Sequence, residues 1–214
     1  ALAQAPAVPL RPPLPLLYVS VDGTGAPMVV QALAGRKGKQ PDGTAKTREV
    51  KLGCVFTQHI LDNQGHPVRD PASTTYLCGL ETAGDFGTRL RKEALRRGMG
   101  QSPKTVLLGD GAAWIWELGR VNFAHATEIL DYYHGREHLT NLAQGLEGQG
   151  TAAKRLIDRW EGWLWEGEVD RLLKTATRHA DRVGSKAAEK VIVELNYSKK
   201  NRQRMRYADF RREG

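Results

Sequence analysis

The chain has 214 residues, enough for one domain or for one domain with a sizeable insertion. No apolar run approaches the length of a membrane span, and the first residues lack the pattern of a signal peptide, so we expect a soluble protein. The formal net charge of +8 favours an anionic partner, nucleic acid above all. Two cysteines are too few for a disulfide framework or a four-cysteine zinc site, and we expect Cys54 and Cys78 to be small buried side chains in a reducing cytosol.

The first strong pattern is an apolar run that ends in an aspartate. Residues 1–15 carry five of the ten prolines and predict an extended connector. The run from Leu16 to Val21 then predicts a buried strand that stops at Asp22-Gly23-Thr24-Gly25. A carboxylate there would stand at the mouth of a sheet, and glycines would let a phosphate come close. Because Asp-Gly is also a hairpin signal, a plain turn is the alternative.

Two further Asp-Gly pairs help to separate these interpretations. Asp42-Gly43 lies in a polar loop with no apolar run before it, so we assign that pair to a turn. Asp110, by contrast, ends a second strand-like run, residues 104–110. The sequence thus predicts two strands that each present an aspartate at an end.

The other elements follow in chain order. Residues 27–34 predict a strand or a short helix, and residues 48–59 and 74–78 predict strands of a meander with a turn between them. Helices are predicted at 85–99, 114–118, 132–146 and 186–195, and a short strand at 126–131. From Thr151 onward helical spacing predicts two or three packed helices, broken near Gly162 and Gly167, with their tryptophans in the core. This order predicts an α/β fold, a mixed sheet flanked by helices with an all-helical region toward the C-terminus.

Paired carboxylates at strand ends suit one kind of chemistry. Two such groups repel each other unless they are protonated or bridged by a metal. Mg²⁺ takes oxygen ligands, and at a phosphodiester it activates the attacking hydroxyl and stabilises the leaving oxygen. In a basic protein, Asp22 and Asp110 therefore indicate a metal-dependent phosphodiester site.

Three segments resemble a known family. Residues 19–25 (VSVDGTG), 107–116 (LLGDGAAWIW) and 129–139 (ILDYYHGREHL) are similar to conserved blocks of bacterial insertion-sequence DDE transposases of the ISKra type. The resemblance implies a ribonuclease H-like catalytic core, with Asp22 and Asp110 as the first two catalytic acids and as ligands of Mg²⁺ or Mn²⁺. It also implies DNA as the partner, both transposon ends and target, a homo-oligomeric intact protein, and a bacterial cytoplasmic, nucleoid-associated location.

The resemblance further implies a domain organisation. Residues 1–15 would be a proline-rich linker, 16–139 an incomplete ribonuclease H-like core, 140–196 a helical insertion, and 197–214 a basic segment before the last catalytic helix. The third acid of the family would follow a Gly-Ser-Gly turn beyond Gly214, and Glu213 precedes its expected position. We therefore expect a truncated piece that is inactive by itself, while the intact protein would cleave and join DNA strands.

The histidines of the third block have three interpretations. Asp131, His134 and His138 could share one helical face, and His-x₃-His spacing occurs in zinc sites, but further ligands of the expected type are not evident. His134 could instead act in catalysis, by contacting the scissile phosphate or orienting the attacking water. Plain structural hydrogen bonding is the alternative.

The C-terminal stretch predicts a DNA contact. Seven of the sixteen residues 197–212 are basic, and Tyr197, Tyr207 and Phe210 are interleaved with them, a pattern that suits phosphate contact and base packing. A solvated charged face is the alternative. The predicted DNA-binding residues are Lys199, Lys200, Arg202, Arg204, Arg206, Arg211 and Arg212.

Two other functions fit the same residues. A ribonuclease H-like nuclease would hydrolyse DNA without joining strands. A non-catalytic remnant of a transposase would bind DNA through its basic surfaces but would not cleave it.

Overall fold

The structure is a computed structural model that describes residues 16–35, 37–38, 40, 43–181 and 185–212; the side chains of residues 185–188 are not described. The predicted proline-rich linker, Asp42 and Glu213 lie outside these residues. Within them, no helix combines the length and the apolar character that crossing a bilayer requires.

Seven strands are described; five of them confirm predicted strands, and two short ones lie within residues 60–68, where the sequence predicted only a turn. They are β1 Leu16–Pro27, β2 Thr47–Phe56, β3 Ile60–Leu61, β4 Pro67–Val68, β5 Thr75–Gly79, β6 Lys104–Gly109 and β7 Thr127–Leu130. Five of them form one sheet in the order β5-β2-β1-β6-β7, with β1 antiparallel to β2 and β2 antiparallel to β5, while β3 and β4 form a separate hairpin.

Most of the described α-helices lie where helical spacing predicted them, whereas the last one, within the basic segment, was not predicted. They are α1 Val30–Leu33, α2 Ala83–Arg96, α3 Ala113–Asn122, α4 Tyr132–Glu147, α5 Thr151–Trp165, α6 Val169–Ala180, α7 Ser185–Asn201 and α8 Tyr207–Arg212. The short α1 decides between the two alternatives for residues 27–34. Together the elements form an α/β fold with a five-stranded mixed sheet flanked by helices.

The described residues pack as two compact units. The first lies within residues 1–107 and 121–127, and the second within 108–120 and 128–214. Helix α4 runs without a break through the predicted boundary between residues 139 and 140. The four-part organisation stays a prediction.

The first unit is built on the contact between α2 and the sheet. Phe86, Leu90 and Ala94 of α2 are fully buried. A Cβ on Gly53 of β2 would lie 2.9 Å from Leu90 Cδ1, so the helix approaches this strand as closely as a glycine permits. The amphipathic period read from the sequence therefore marks the face that the helix buries.

The second unit has a helical core. Trp160, Leu164, Leu172 and Ala176 are fully buried within one apolar cluster, and α4 packs against both α5 and α7. This confirms the predicted packing of helices and the core position of Trp160, whereas Trp165 is half-exposed.

Three expectations about local structure were wrong. Gly162 lies inside α5, because no residue between it and Gly167 stops the helix. Gly167, with φ of +82°, takes the chain out of the helical conformation. Helix α7 continues past Leu195 to Asn201, so it includes the start of the basic segment. Cys54 is buried as predicted, but Cys78 is exposed, because it lies on an outward position of β5.

Candidate active site

Asp22 lies inside a strand of the first unit. β1 continues five residues beyond it, and Asp22 pairs with Leu52 of β2 in the antiparallel register. The predicted strand end was therefore wrong, because β2 is long enough to pair with β1 as far as Pro27. The alternating pattern buries Val19 and Val21 and leaves the Asp22 side chain exposed. Its Oδ1 accepts a hydrogen bond from N of Gly23, 2.6 Å long.

Asp110 stands where the sequence placed it, directly after a strand. β6 ends at Gly109, and the chain then turns through Gly111, whose φ is +97°. Oδ1 of Asp110 accepts from N of Ala112 over 2.8 Å, just before α3 begins. This contact gives the carboxylate a fixed position in the second unit.

Helix α7 holds the Asp110 turn through a tyrosine. Oη of Tyr197 donates to the backbone carbonyl of Asp110, with 2.5 Å between the oxygens. A Cβ on Gly111 would lie 2.4 Å from the same Oη, which real contacts do not allow. Gly111 is thus required twice, by its positive φ and by the approach of Tyr197. The sequence pattern indicated only base packing for Tyr197 and carried no sign of this contact.

Acidic groups surround Tyr197. Its ring stacks on His138 with 3.4 Å between centroids, and Nδ1 of His138 lies 2.5 Å from Oε2 of Glu194. Burial first, and then the nearby carboxylates of Asp110, Asp131 and Glu194, raise the pKa of Tyr197 well above its ordinary value. Because the neutral phenol is favoured, Tyr197 remains a hydrogen-bond donor to the Asp110 turn.

Asp131 caps the helix that carries His134. Oδ1 of Asp131 accepts from N of His134 over 3.0 Å, and Nδ1 of His134 lies 3.2 Å from the same oxygen. N of Asp131 donates to the carbonyl of Gly109 over 2.7 Å, so this cap is tied to the end of β6. The structural hydrogen bonding considered for His134 is present, and its catalytic role stays a prediction.

The predicted zinc alternative finds no support in the side-chain placement. Within the described ranges, no group of three His, Cys, Asp or Glu side chains could hold a metal ion together. His138 instead faces Glu194 in an ion-pair contact of 2.5 Å.

Asp110 differs from the other half-buried carboxylates. In the described part of the chain, every other half-buried Asp or Glu lies within ion-pair distance of an Arg or a His. Asp110 makes no such pair with any described residue, although it is partly removed from water. Such a carboxylate retains its full capacity to bind a cation.

The predicted DNA-binding arginines have partners within the chain. Arg202 pairs with Asp170, Arg204 with Glu128, and Arg206 and Arg212 both with Asp209. Arg211 donates to the carbonyl of Trp165 and lies over its ring, 3.6 Å from the centroid.

Two cations of that segment remain open to solvent. Lys199 and Lys200 are exposed, and among the described residues neither forms an ion pair. Their ammonium groups are therefore available for an external anion, whereas an arginine would first have to leave or share its partner.

The first unit contains the exposed carboxylate of Asp22 on β1, and the second unit contains the half-buried carboxylate of Asp110 after β6, together with the hydrogen bonds of Tyr197, Asp131 and His134. Carboxylate oxygens without cationic partners suit a hard divalent ion. No family model, no curated protein and no solved structure matches this chain.

Proposed function

We propose that the chain belongs to the catalytic core of a DNA transposase with a ribonuclease H-like fold, in which Asp22 and Asp110 are two of the acids. The observation that carries this proposal is the state of Asp110, a half-buried carboxylate that is held by Ala112 and has no ion pair with any described residue. A carboxylate with no cationic partner of its own can take a metal ion as that partner.

The strand order supports the pairing of the two acids. β1 and β6 are neighbours in the sheet. Asp22 lies on β1, and Asp110 follows directly after β6. That the two carboxylates share one cation is part of the proposal. The net charge of +8 favours a polyanionic substrate such as DNA.

The donor set fits Mg²⁺ or Mn²⁺, which Asp22 and Asp110 would hold. When bound, such an ion supplies Lewis-acid stabilisation of charge at a phosphodiester. Tyr197 holds the backbone of Asp110 and N of Ala112 holds its carboxylate, so that the group need not reorganise when a ligand binds. Asp131 orients the His134 ring, whose Nε2 we propose for a hydrogen bond to the scissile phosphate.

The test is DNA cleavage and strand joining by the protein that contains this chain. Asp22→Asn and Asp110→Asn should each lower cleavage by more than about 100-fold, the upper end of what outer-sphere changes around a metal cause. Asn keeps an Oδ1 that can accept from Ala112, so Asp110→Asn should fold normally. Asp158→Asn on α5, which removes one exposed carboxylate, is the matched control and should leave cleavage unchanged.

Three outcomes decide the proposal. Cleavage with joined product that needs both acids supports a transposase. Cleavage that needs both acids but yields no joined product supports a nuclease. Activity that survives both substitutions overturns the assignment of the acids.

Metal binding gives a second measurement. A divalent ion at 100 times its dissociation constant should stabilise the folded chain by about 2.7 kcal/mol, and Asp110→Asn should abolish that gain. Equal stabilisation of the unchanged chain and of Asp110→Asn by Mg²⁺ would contradict the metal assignment.

A further inference from the structure

A cavity of about 770 Å³ opens beside the Asp110 turn in the second unit. We call it the α3–α7 pocket, and its walls include Gly111, Trp116, Arg120, Asn196, Lys200 and Arg204. Its volume lies in the range of small-molecule and nucleotide sites.

The wall from α7 is one face of a helix. Asn196, Lys200 and Arg204 are spaced by four residues, which places them one above another along the helix and the turn that follows it. Lys199 and Arg202 lie away from this face, because they line a separate cavity of about 460 Å³ with Lys174. The basic segment therefore divides its cations between two surfaces, which a count of charges cannot reveal.

The polar groups of the pocket differ in whether they are already paired. Arg120 pairs with Glu117 at 2.5 Å, and Arg204 pairs with Glu128 at 2.6 Å and lies 4.3 Å from the centre of the Trp116 ring. Lys200 and Asn196 are exposed, and neither side chain has a partner among the described residues. The pocket thus offers one free ammonium and one free amide.

The apolar part of the pocket complements these groups. Ala113, Trp116, Val193 and Tyr197 line it, and Val193 is strongly exposed at 62%. An occupant with a planar or apolar body and one anionic group would cover this surface and neutralise Lys200. A nucleotide has both features, and its base edge suits an amide that can donate and accept together.

We propose that the α3–α7 pocket holds a single nucleotide of the DNA strand on which Asp110 acts, with its phosphate on Lys200 and its base edge on Asn196. The inference rests on the proposed function for the identity of the strand. A strand is favoured over a free nucleotide because Gly111, next to Asp110, forms part of the pocket wall.

The test measures binding of a dye-labelled single-stranded DNA hexamer to the 214-residue chain by fluorescence anisotropy, in EDTA so that no metal takes part. Lys200→Gln should weaken binding about tenfold, the effect of one charge-assisted hydrogen bond, and should lower the salt slope by about 0.7. Asn196→Ala should reduce the difference in affinity between hexamers of different base composition. Lys190→Gln, which removes an exposed charge from the same helix, is the matched control and should change affinity less than twofold.

Specified results overturn the inference. Equal effects of Lys200→Gln and Lys190→Gln would show a diffuse electrostatic field rather than a pocket. An unchanged base preference in Asn196→Ala would remove the base contact. Tighter binding of a deoxynucleoside monophosphate than of the DNA hexamer would make a free nucleotide the occupant. Tighter binding of an RNA hexamer of the same sequence than of the DNA hexamer would make RNA the occupant.

The result is independent of the cleavage assay. Binding that depends on Lys200, in a protein whose activity does not depend on Asp22 and Asp110, would retain the pocket and reject the transposase. Cleavage that depends on Asp22 and Asp110, together with no effect of Lys200→Gln on binding, would retain the transposase and reject the pocket.

Discussion

Replacing Gly111 by alanine tests the contact between the Asp110 turn and α7. The backbone there has φ of +97°, and a left-handed conformation costs a residue with a Cβ about 1–2 kcal/mol. The new Cβ would also lie 2.4 Å from Tyr197 Oη and 2.7 Å from its ring, so the tyrosine would have to move. Loss of the hydrogen bond to the Asp110 carbonyl adds about 1 kcal/mol.

Together these terms predict that Gly111→Ala lowers the free energy of unfolding by about 2–3 kcal/mol. Gly65→Ala is the matched control, since Gly65 has φ of +81° but nothing lies within 4 Å of its Cβ position. It should cost only the conformational part, about 1–2 kcal/mol. The difference between the two variants therefore isolates the contact with Tyr197.

The assay is urea unfolding of both variants, followed by circular dichroism, with the slope against urea checked for change. Gly111→Ala should have the lower midpoint. Equal midpoints would refute the packing of Tyr197 on the Asp110 turn, and with it the argument that α7 positions this carboxylate.

Two further predictions follow from pKa shifts. Burial raises the pKa of both Tyr197 and Tyr207, so their protons are held more tightly in the folded state than in the unfolded state. The contribution of the two tyrosines to stability should be constant below about pH 10. Above it, the free energy of unfolding should fall by up to about 1.4 kcal/mol per pH unit for each tyrosine. Tyr197→Phe should reduce this slope in unfolding measured from pH 9 to 11, and an unaltered slope would contradict the raised pKa. Burial likewise raises the pKa of the Cys54 thiol, whereas Cys78 is exposed. Iodoacetamide at pH 8 should therefore alkylate Cys78 much faster than Cys54. Equal alkylation rates of the two peptides, measured by mass spectrometry, would refute this prediction.

Local pattern was sufficient for most of the secondary structure. The strand that leads to Asp110 and the helix that buries Phe86 and Leu90 were both predicted, because alternation and helical spacing depend on residues that are neighbours in sequence. The α/β class followed from the order of these elements.

Local pattern misjudged the surroundings of the acids. Asp22-Gly23 looked like the end of a strand, yet β1 continues to Pro27 because β2 pairs with it throughout. A glycine after an aspartate signals a turn only where no partner strand is present, and the partner is set by residues that lie more than twenty positions away.

By itself the sequence determined the two aspartates, the elements that carry them, and the excess of positive charge. Only the tertiary structure decided that Tyr197 bonds to the turn of Asp110, 87 residues away. It also decided that, among the described residues, Lys200 forms no ion pair whereas Arg202 and Arg204 of the same segment do. The reason is physical: periodicity records which side of an element faces the core, whereas the partner of a polar group depends on which distant elements packing brings beside it.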